Sequence, residues 1–303
     1  MNKIPDYCHK INFNYLFVIF LSLIYSPCYA QGINFGAIYI GSDGEMAIHD
    51  VTQNFHVETN GKLGIIGTER VAPQGYLSFA GTANHVGAID SAHVDGYSKT
   101  YRTTPFIFPI GDNNKYRPAA VSTATTTSPA SAAYFLVSPN TATTTSFKGG
   151  LEPVLPSGGP FNTALIGIGI QAIDTLEYWD INGATAAKIT LTWNITSAIT
   201  TMTANNLALL TILGWDGAKW VKIPSTFDNT SLLGGLSNTA SGSITTDAVI
   251  VPDLFSIYTL GALSNLIPDL IISLGQPLPV PIVAQTSFIP VTVTNIGLGA
   301  SVG

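Results

Sequence analysis

"LEYWDINGATAAKITLTWNITS", residues 176–197, decides the class of fold. Ile189, Leu191, Trp193 and Ile195 alternate with polar neighbours, the period of a strand with one buried face, and this directs Trp193 into a core. Upstream, Trp179 and Ile181 share one strand face while Tyr178 and Asp180 share the other, so one aromatic of that pair is expected to look outward. Next comes "LALLTILGWDGAKWVKIP" (207–224), which reads as a hairpin turning at Asp216-Gly217. On the N-terminal side, "ALIGIGIQAI" (164–173) has the length of a buried strand. Thr/Ser/Ala tracts at 122–133 and 141–146 flank "AYFLVSPN", a further strand, and "GGLEPVLPSGGP" (149–160) is a loop by its glycines and prolines. Strands joined by such turns, without long segments of helical periodicity, predict an antiparallel β-sandwich over residues 93–262.

The segment before it repeats itself. "DGEMAI" (43–48), "NGKLGI" (60–65) and "QGYLSF" (74–79) share a polar residue, a glycine and apolar residues two and four places after it. "FGAIYI" (35–40) and "TQNFHV" (52–57) follow the alternation more loosely. Such short strands cannot bury their apolar face alone and should stack or pair with the next. Residues 31–92 are therefore expected to form a small β-solenoid or meander, the solenoid preferred. A third region begins near Pro268, where "PDLIIS" and "FIPVTVTNIG" look like the first strands of another sandwich. The roughly 36 residues from Pro268 to Gly303 cannot close a domain of roughly 100, so 263–303 is expected to be the start of a truncated immunoglobulin-like domain.

Residues 1–30 read as a secretory signal. Lys3 and Lys10 precede an apolar run from Leu16 to Tyr25, and Cys28-Tyr29-Ala30 supplies small residues for cleavage near Ala30. The run is too short to span a bilayer, and no later run reaches the length of a spanning helix. Both cysteines, Cys8 and Cys28, fall in this leader, so an exported chain must be held by its own core and has no thiol chemistry. Only 10% of the residues are charged and the formal net charge is −6. Removing Lys3, Lys10 and Asp6 makes the charge one unit more negative. With no basic block, nucleic acid is not an expected partner.

"HVDGYSKTYRTTPFIFPIGDNNKYRP" (93–118) concentrates the charge of this nearly uncharged chain. It contains no hydrolytic constellation, and no G-x-S-x-G elbow occurs anywhere. His93 and Asp95 read as turn residues closing the repeat. Lys99, Arg102, Lys115 and Arg117 are expected on a solvated face or paired with Asp95 and Asp112. His49, His56, His85 and His93 lack H-x-H or H-E-x-x-H spacing, so zinc or copper is not expected. Calcium is the better inorganic candidate, with Asp43 and Glu45, or Asp112 and Asn114, as the nearest approach to ligands; neither pair forms the alternating string of a known loop. Tyr178, Trp179, Trp215 and Trp220 raise a carbohydrate reading, since sugar faces stack on exposed rings, against cross-hairpin packing as the bland one.

Taken together, the leader, the glycine repeats, "HVDGYSKTYRTTPFIFPIGDNNKYRP", "EYWDINGATAAKITLTW", "WDGAKW" and "FSIYTLGA" resemble the start of large surface proteins secreted by Bacteroidota-type bacteria, often through the type IX system. The tail, "PDLIIS…VTVTNIGLGASVG", is similar to the opening of a cell-adhesion-related immunoglobulin-like domain. The resemblance implies a non-enzymatic, adhesin-like surface protein whose partner is a surface polysaccharide or another cell-surface component. It also marks Ser91 and Thr175, in Asp-Ser-Ala and Asp-Thr-Leu triplets, as positions for O-linked glycans. The alternative is a carbohydrate-binding module of a larger secreted enzyme.

Overall fold

The computed structural model describes residues 38–55, 64–144, 154–264, 270–274 and 291–295. The fold is all-β, with one four-residue helix, Ile199–Met202, among the described residues. The leader lies outside them.

The repeat is a solenoid in its pairing. Ile38–Ile40, Ile66–Thr68 and Val94–Asp95 stack in parallel, with Ile38, Ile66 and Val94 in register, each 28 residues after the last. Glu45–His49, Tyr76–Ala80 and Ser98–Thr100 form a second parallel face. Thr52–Asn54 and Asn84–Val86 form a third. The short strands recur along the chain as expected, but each pairs with its counterpart one coil later and not with the next strand. Antiparallel neighbours need only a tight turn, whereas here each turn bends the chain onto a new face. The repeat glycines permit the close stacking: a Cβ on Gly75 would lie 2.2 Å from the Ile40 carbonyl oxygen.

The coils do not end at residue 92. Ser98–Thr100 pairs in parallel with Tyr76–Ala80 and antiparallel with Ala130–Phe135. The sheet then continues through Tyr178–Asn182, Tyr258–Leu263, Leu210–Trp215 and Trp220–Ile223, with Ile170–Ile173 joining Tyr258–Leu263. One nine-stranded sheet thus runs from the repeat into the rest of the chain, and the division drawn between 31–92 and 93–262 has no counterpart in the hydrogen bonding.

A second sheet orders Ser225–Phe227, Gly242–Thr246, Ile189–Trp193, Ala119–Val121 and Phe106–Phe108, all antiparallel. Leu191, Trp193, Phe106 and Ile244 from this sheet share one core with Trp179, Ile181, Tyr134, Ile212 and Leu260 from the first. Trp193 is fully buried there and donates Nε1–H to the Asn238 carbonyl. The hairpin turns at Asp216-Gly217, where the Asp216 carboxylate accepts from the backbone N–H of Ala218 and Lys219. "ALIGIGIQAI" behaves differently from expectation. Its strand starts only at Ile170, and Leu165, Ile166 and Ile168 are exposed.

The opposite face of the nine-stranded sheet is covered too. Tyr178, Phe135, Tyr97, Trp215 and Trp220 pack there with Leu155 and Phe161. Of the third region, Leu270–Leu274 and Val291–Asn295 form an antiparallel pair. The rest of the immunoglobulin-like expectation falls on residues outside the described ones.

Within the core lies a buried ion pair. Arg117 Nε donates to Glu177 Oε2 at 2.8 Å, both side chains being essentially inaccessible. Tyr134 also donates its hydroxyl to that oxygen, and Arg117 Nη2 reaches Asn194 Oδ1 and Thr196 Oγ1, each at 3.0 Å. Burial, then the nearby Glu177 charge, holds the Asp174 carboxyl well above the usual range. Removing the guanidinium alone strands a buried carboxylate. Arg117→Met is therefore expected to cost about 3–5 kcal/mol in denaturant unfolding, and Arg117→Met/Glu177→Gln clearly less. Equal losses for the two variants would show that the charges are not coupled.

Candidate functional site

The four aromatics proposed for sugar stacking are all inside the protein. Tyr178 and Trp179 are 1% and 0% exposed, and Trp215 and Trp220 are 6% and 0%. Trp215 and Trp220 do pair across the hairpin, edge to face at 5.6 Å. Tyr178 stacks on Phe135 at 5.0 Å. Alternation was read for a sheet covered on one face; because both faces are covered, neither Tyr178 nor Trp179 looks outward.

The calcium candidates do not converge either. Asp43 sits exposed in a turn at φ 57°. Glu45 is bound to its own neighbours, with Lys99 Nζ 3.1 Å away and the Tyr101 hydroxyl donating at 2.9 Å. Asp112 is buried, and Asn114 stands in an exposed turn at φ 57°. Among the described residues no three His, Cys, Asp or Glu side chains are grouped to hold a metal. Of the glycan positions, Thr175 is exposed in the turn before Tyr178–Asn182, while Ser91 is half-buried.

The charges of 93–118 divide: Lys115 stands at the surface, as expected, whereas Arg117 is buried and Asp95 and Asp112 are not paired with these cations. Lys99 pairs with Glu45, Lys115 with Asp90 and Arg117 with Glu177. Arg102 donates to the Ala83 carbonyl and to Thr104. Asp95 and Asp112 take Arg70, a residue the sequence left unassigned. His93 is fully buried with Nδ1 3.1 Å from the Ile89 carbonyl oxygen, a part of the third coil and not a loose turn.

Arg70 also lines a cavity of about 610 Å³. Four parts of the chain line it: Arg70, Gln74 and Tyr76 among others from the repeat, Thr143 and Leu155 to Ser157 from the covering segment, Asp180 and Asn182 from the nine-stranded sheet, and Ser256. Arg70 is set by Glu69, whose Oε1 accepts from the backbone N–H of Arg70 and Val71 and whose Oε2 accepts from the Tyr39 hydroxyl. Its Nη2 lies 2.5 Å from Asp95 Oδ1 and 3.3 Å from Asp112 Oδ1, and its guanidinium carbon lies 4.7 Å from the Phe135 ring centre. Burial alone would lower the Arg70 pKa; the Asp112 and Asp95 charges outweigh it and hold the group up.

Asp180 is the second charged group. Its Oδ2 accepts from the Tyr97 hydroxyl at 2.6 Å and its Oδ1 from Asn182 Nδ2 at 2.8 Å. Burial nevertheless pushes its carboxyl up to about 6. At the rim, Tyr76 carries Lys99 Nζ 3.6 Å from its ring centre and packs edge to face on Tyr97 at 6.0 Å. None of Arg70, Tyr76, Asp180 or Asn182 was picked out from the sequence as a site residue. The available signals were the side-by-side placement of Tyr178 and Asp180 on one strand face and the lone arginine in "TERVAP" (68–73). Comparison with known protein families, curated proteins and solved structures gives no match.

The raised Asp180 pKa fixes a sign. The folded chain binds this proton more tightly than the unfolded one, so the residue's contribution to stability is present below the ordinary value of 3.8 and is lost as pH rises through about 6. Asp180→Asn should therefore gain stability relative to the parent between about pH 4 and about pH 7.5, by about 1–3 kcal/mol. His85 and His93, both pushed down by burial, act in the opposite sense, but parent and variant share them. Urea unfolding of both proteins at the two pH values measures the difference, and a gap that does not change with pH would refute the assignment.

Proposed function

We propose that this chain is an exported, non-enzymatic protein of the outer cell surface that serves as an adhesin-like scaffold or spacer, its partner a surface polysaccharide or other cell-surface component. The observation that carries this reading is the unbroken nine-stranded sheet, which couples the solenoid coils to the paired sheets. Two units joined through one sheet cannot hinge as two domains joined by a linker do. Rigidity of that kind suits a part that holds other groups at a fixed distance. The leader-like residues 1–30 and the resemblance to secreted surface proteins support the location. The described residues contain no helix long and apolar enough to cross a membrane, in keeping with attachment by other means.

A second reading, a carbohydrate-binding module of a larger secreted enzyme, is favoured by one specific observation, the polar cavity at Asp180. The two readings differ in what lies elsewhere in the full protein, a catalytic domain or further adhesive ones.

Limited trypsin digestion of intact cells and of purified chain tests the first reading. The chain should be accessible on intact cells, and digestion should yield no stable fragment ending near residues 92–93. Protection in intact cells would remove the surface location, and clean release of a repeat fragment would remove the rigid spacer.

A further inference from the structure

We propose that the cavity at Arg70, Tyr76 and Asp180 is a binding site for a neutral sugar residue, with Asp180, Asn182 and Gln74 as partners for its hydroxyl groups and Tyr76 as the ring at its rim. This deepens the carbohydrate-binding reading, on which it rests, and is independent of the spacer reading. It also places sugar recognition away from the buried tryptophans.

The volume of about 610 Å³ falls within the range of small-ligand sites. Its chemistry selects among ligands by charge first. Arg70 is already held between Asp95 and Asp112, so its positive charge is neutralised inside the wall. No salt bridge among the described residues reaches Asp180, whose partners are the neutral Tyr97 and Asn182. An anionic ligand would meet the lining carboxylate of Asp180 and a guanidinium whose charge is already taken by Asp95 and Asp112. A metal ion would find a single lining carboxylate, too few oxygen charges for a calcium site.

A neutral polyol suits the remaining groups. A carboxylate accepts hydroxyl donors in charge-assisted bonds, and the side-chain amides of Gln74 and Asn182 can both donate and accept. Exposed Ser157 and Ser256 add hydroxyls at the mouth. Lys99 over the Tyr76 ring fixes that side chain, which lines the cavity and so offers a sugar a positioned apolar edge.

The test uses the purified chain on an array of neutral hexose and N-acetylhexosamine oligosaccharides, with uronic-acid, sialylated and amino-sugar counterparts, followed by titration calorimetry on any hit. The expected result is binding of neutral saccharides with dissociation constants on the order of 0.1–1 mM. Gln74→Ala should weaken it about threefold to tenfold and Asp180→Asn about tenfold or more, each within the range for losing one hydrogen bond. Ser157→Trp changes only an exposed rim residue, and it should block binding while leaving thermal unfolding unchanged. The proposal is overturned if no neutral saccharide binds at millimolar concentration, if acidic or amino sugars bind instead, or if binding is indifferent to both Gln74→Ala and Ser157→Trp. Binding by a chain that is not displayed on cells would remove the surface reading and leave this one, whereas display without binding would do the reverse.

Discussion

The central strands of the nine-stranded sheet are covered on both faces, and much of the structure follows from that. A sheet with one wet face can alternate apolar and polar residues, whereas one buried on both sides must be apolar, small or internally bonded at every position. Ala130–Phe135 shows the solution, with every residue buried. Ala132 and Tyr134 belong to the main core, and Ala133 and Phe135 to the second cluster. Tyr178–Asn182 repeats the pattern, dividing Trp179 and Ile181 from Tyr178. The low charge content of the chain, 10% of its residues, is the same constraint expressed as composition.

Charges that remain under such a sheet have to be satisfied locally. Arg117 meets Glu177 on the main-core side, and Arg70 meets Asp95 and Asp112 where the coils join the sheet. Burying ion pairs is a poor source of stability, since desolvation offsets the attraction. Their effect is on specificity: any other packing of the coils against the sheet would leave a guanidinium or a carboxylate unpaired in the interior. Arg70 draws its partners from segments 25 and 42 residues further along the chain, so it is satisfied only when the stack is in register.

How far the sequence could be read depended on the range of the interaction. Local patterns read well in part: the alternation around Trp193 marked a buried strand, but Ile195 lies past its end and exposed, and Thr190 and Thr192 are buried as well; Asp216-Gly217 gave a turn, and the repeated glycines gave short stacked strands. All-β architecture follows from these. Two features were out of reach. Period-two alternation reports which residues share a face but not whether that face is later covered, so Tyr178 and Trp179 could not be seen to be buried together. Partnerships across a coil join residues roughly one repeat apart, and nothing local marks them. Lys99 lies beside Glu45 and Tyr76, and Arg70 beside Asp112, only because parallel strands bring successive coils into register. The Arg70 and Tyr76 side of the candidate site consists of such partnerships.

The position of the cavity has a physical reason as well. The covering segment that buries Phe135, Tyr178 and Trp215 packs flat against the antiparallel part of the sheet, where successive strands present large rings. Toward the coils that face carries Tyr97 and Lys99, and the strands change from antiparallel to parallel pairing. The cavity lies near this change of pairing, between Tyr76 of the coils and Asp180 of the antiparallel part. The side chains that reach it, Asp180 and Asn182, occupy the positions beyond Tyr178 on the same strand face. They are polar where their neighbour is aromatic because this is where apolar cover ends. A gap lined by polar groups is open to water or to a hydroxylated ligand, whereas one lined by rings would have closed by packing.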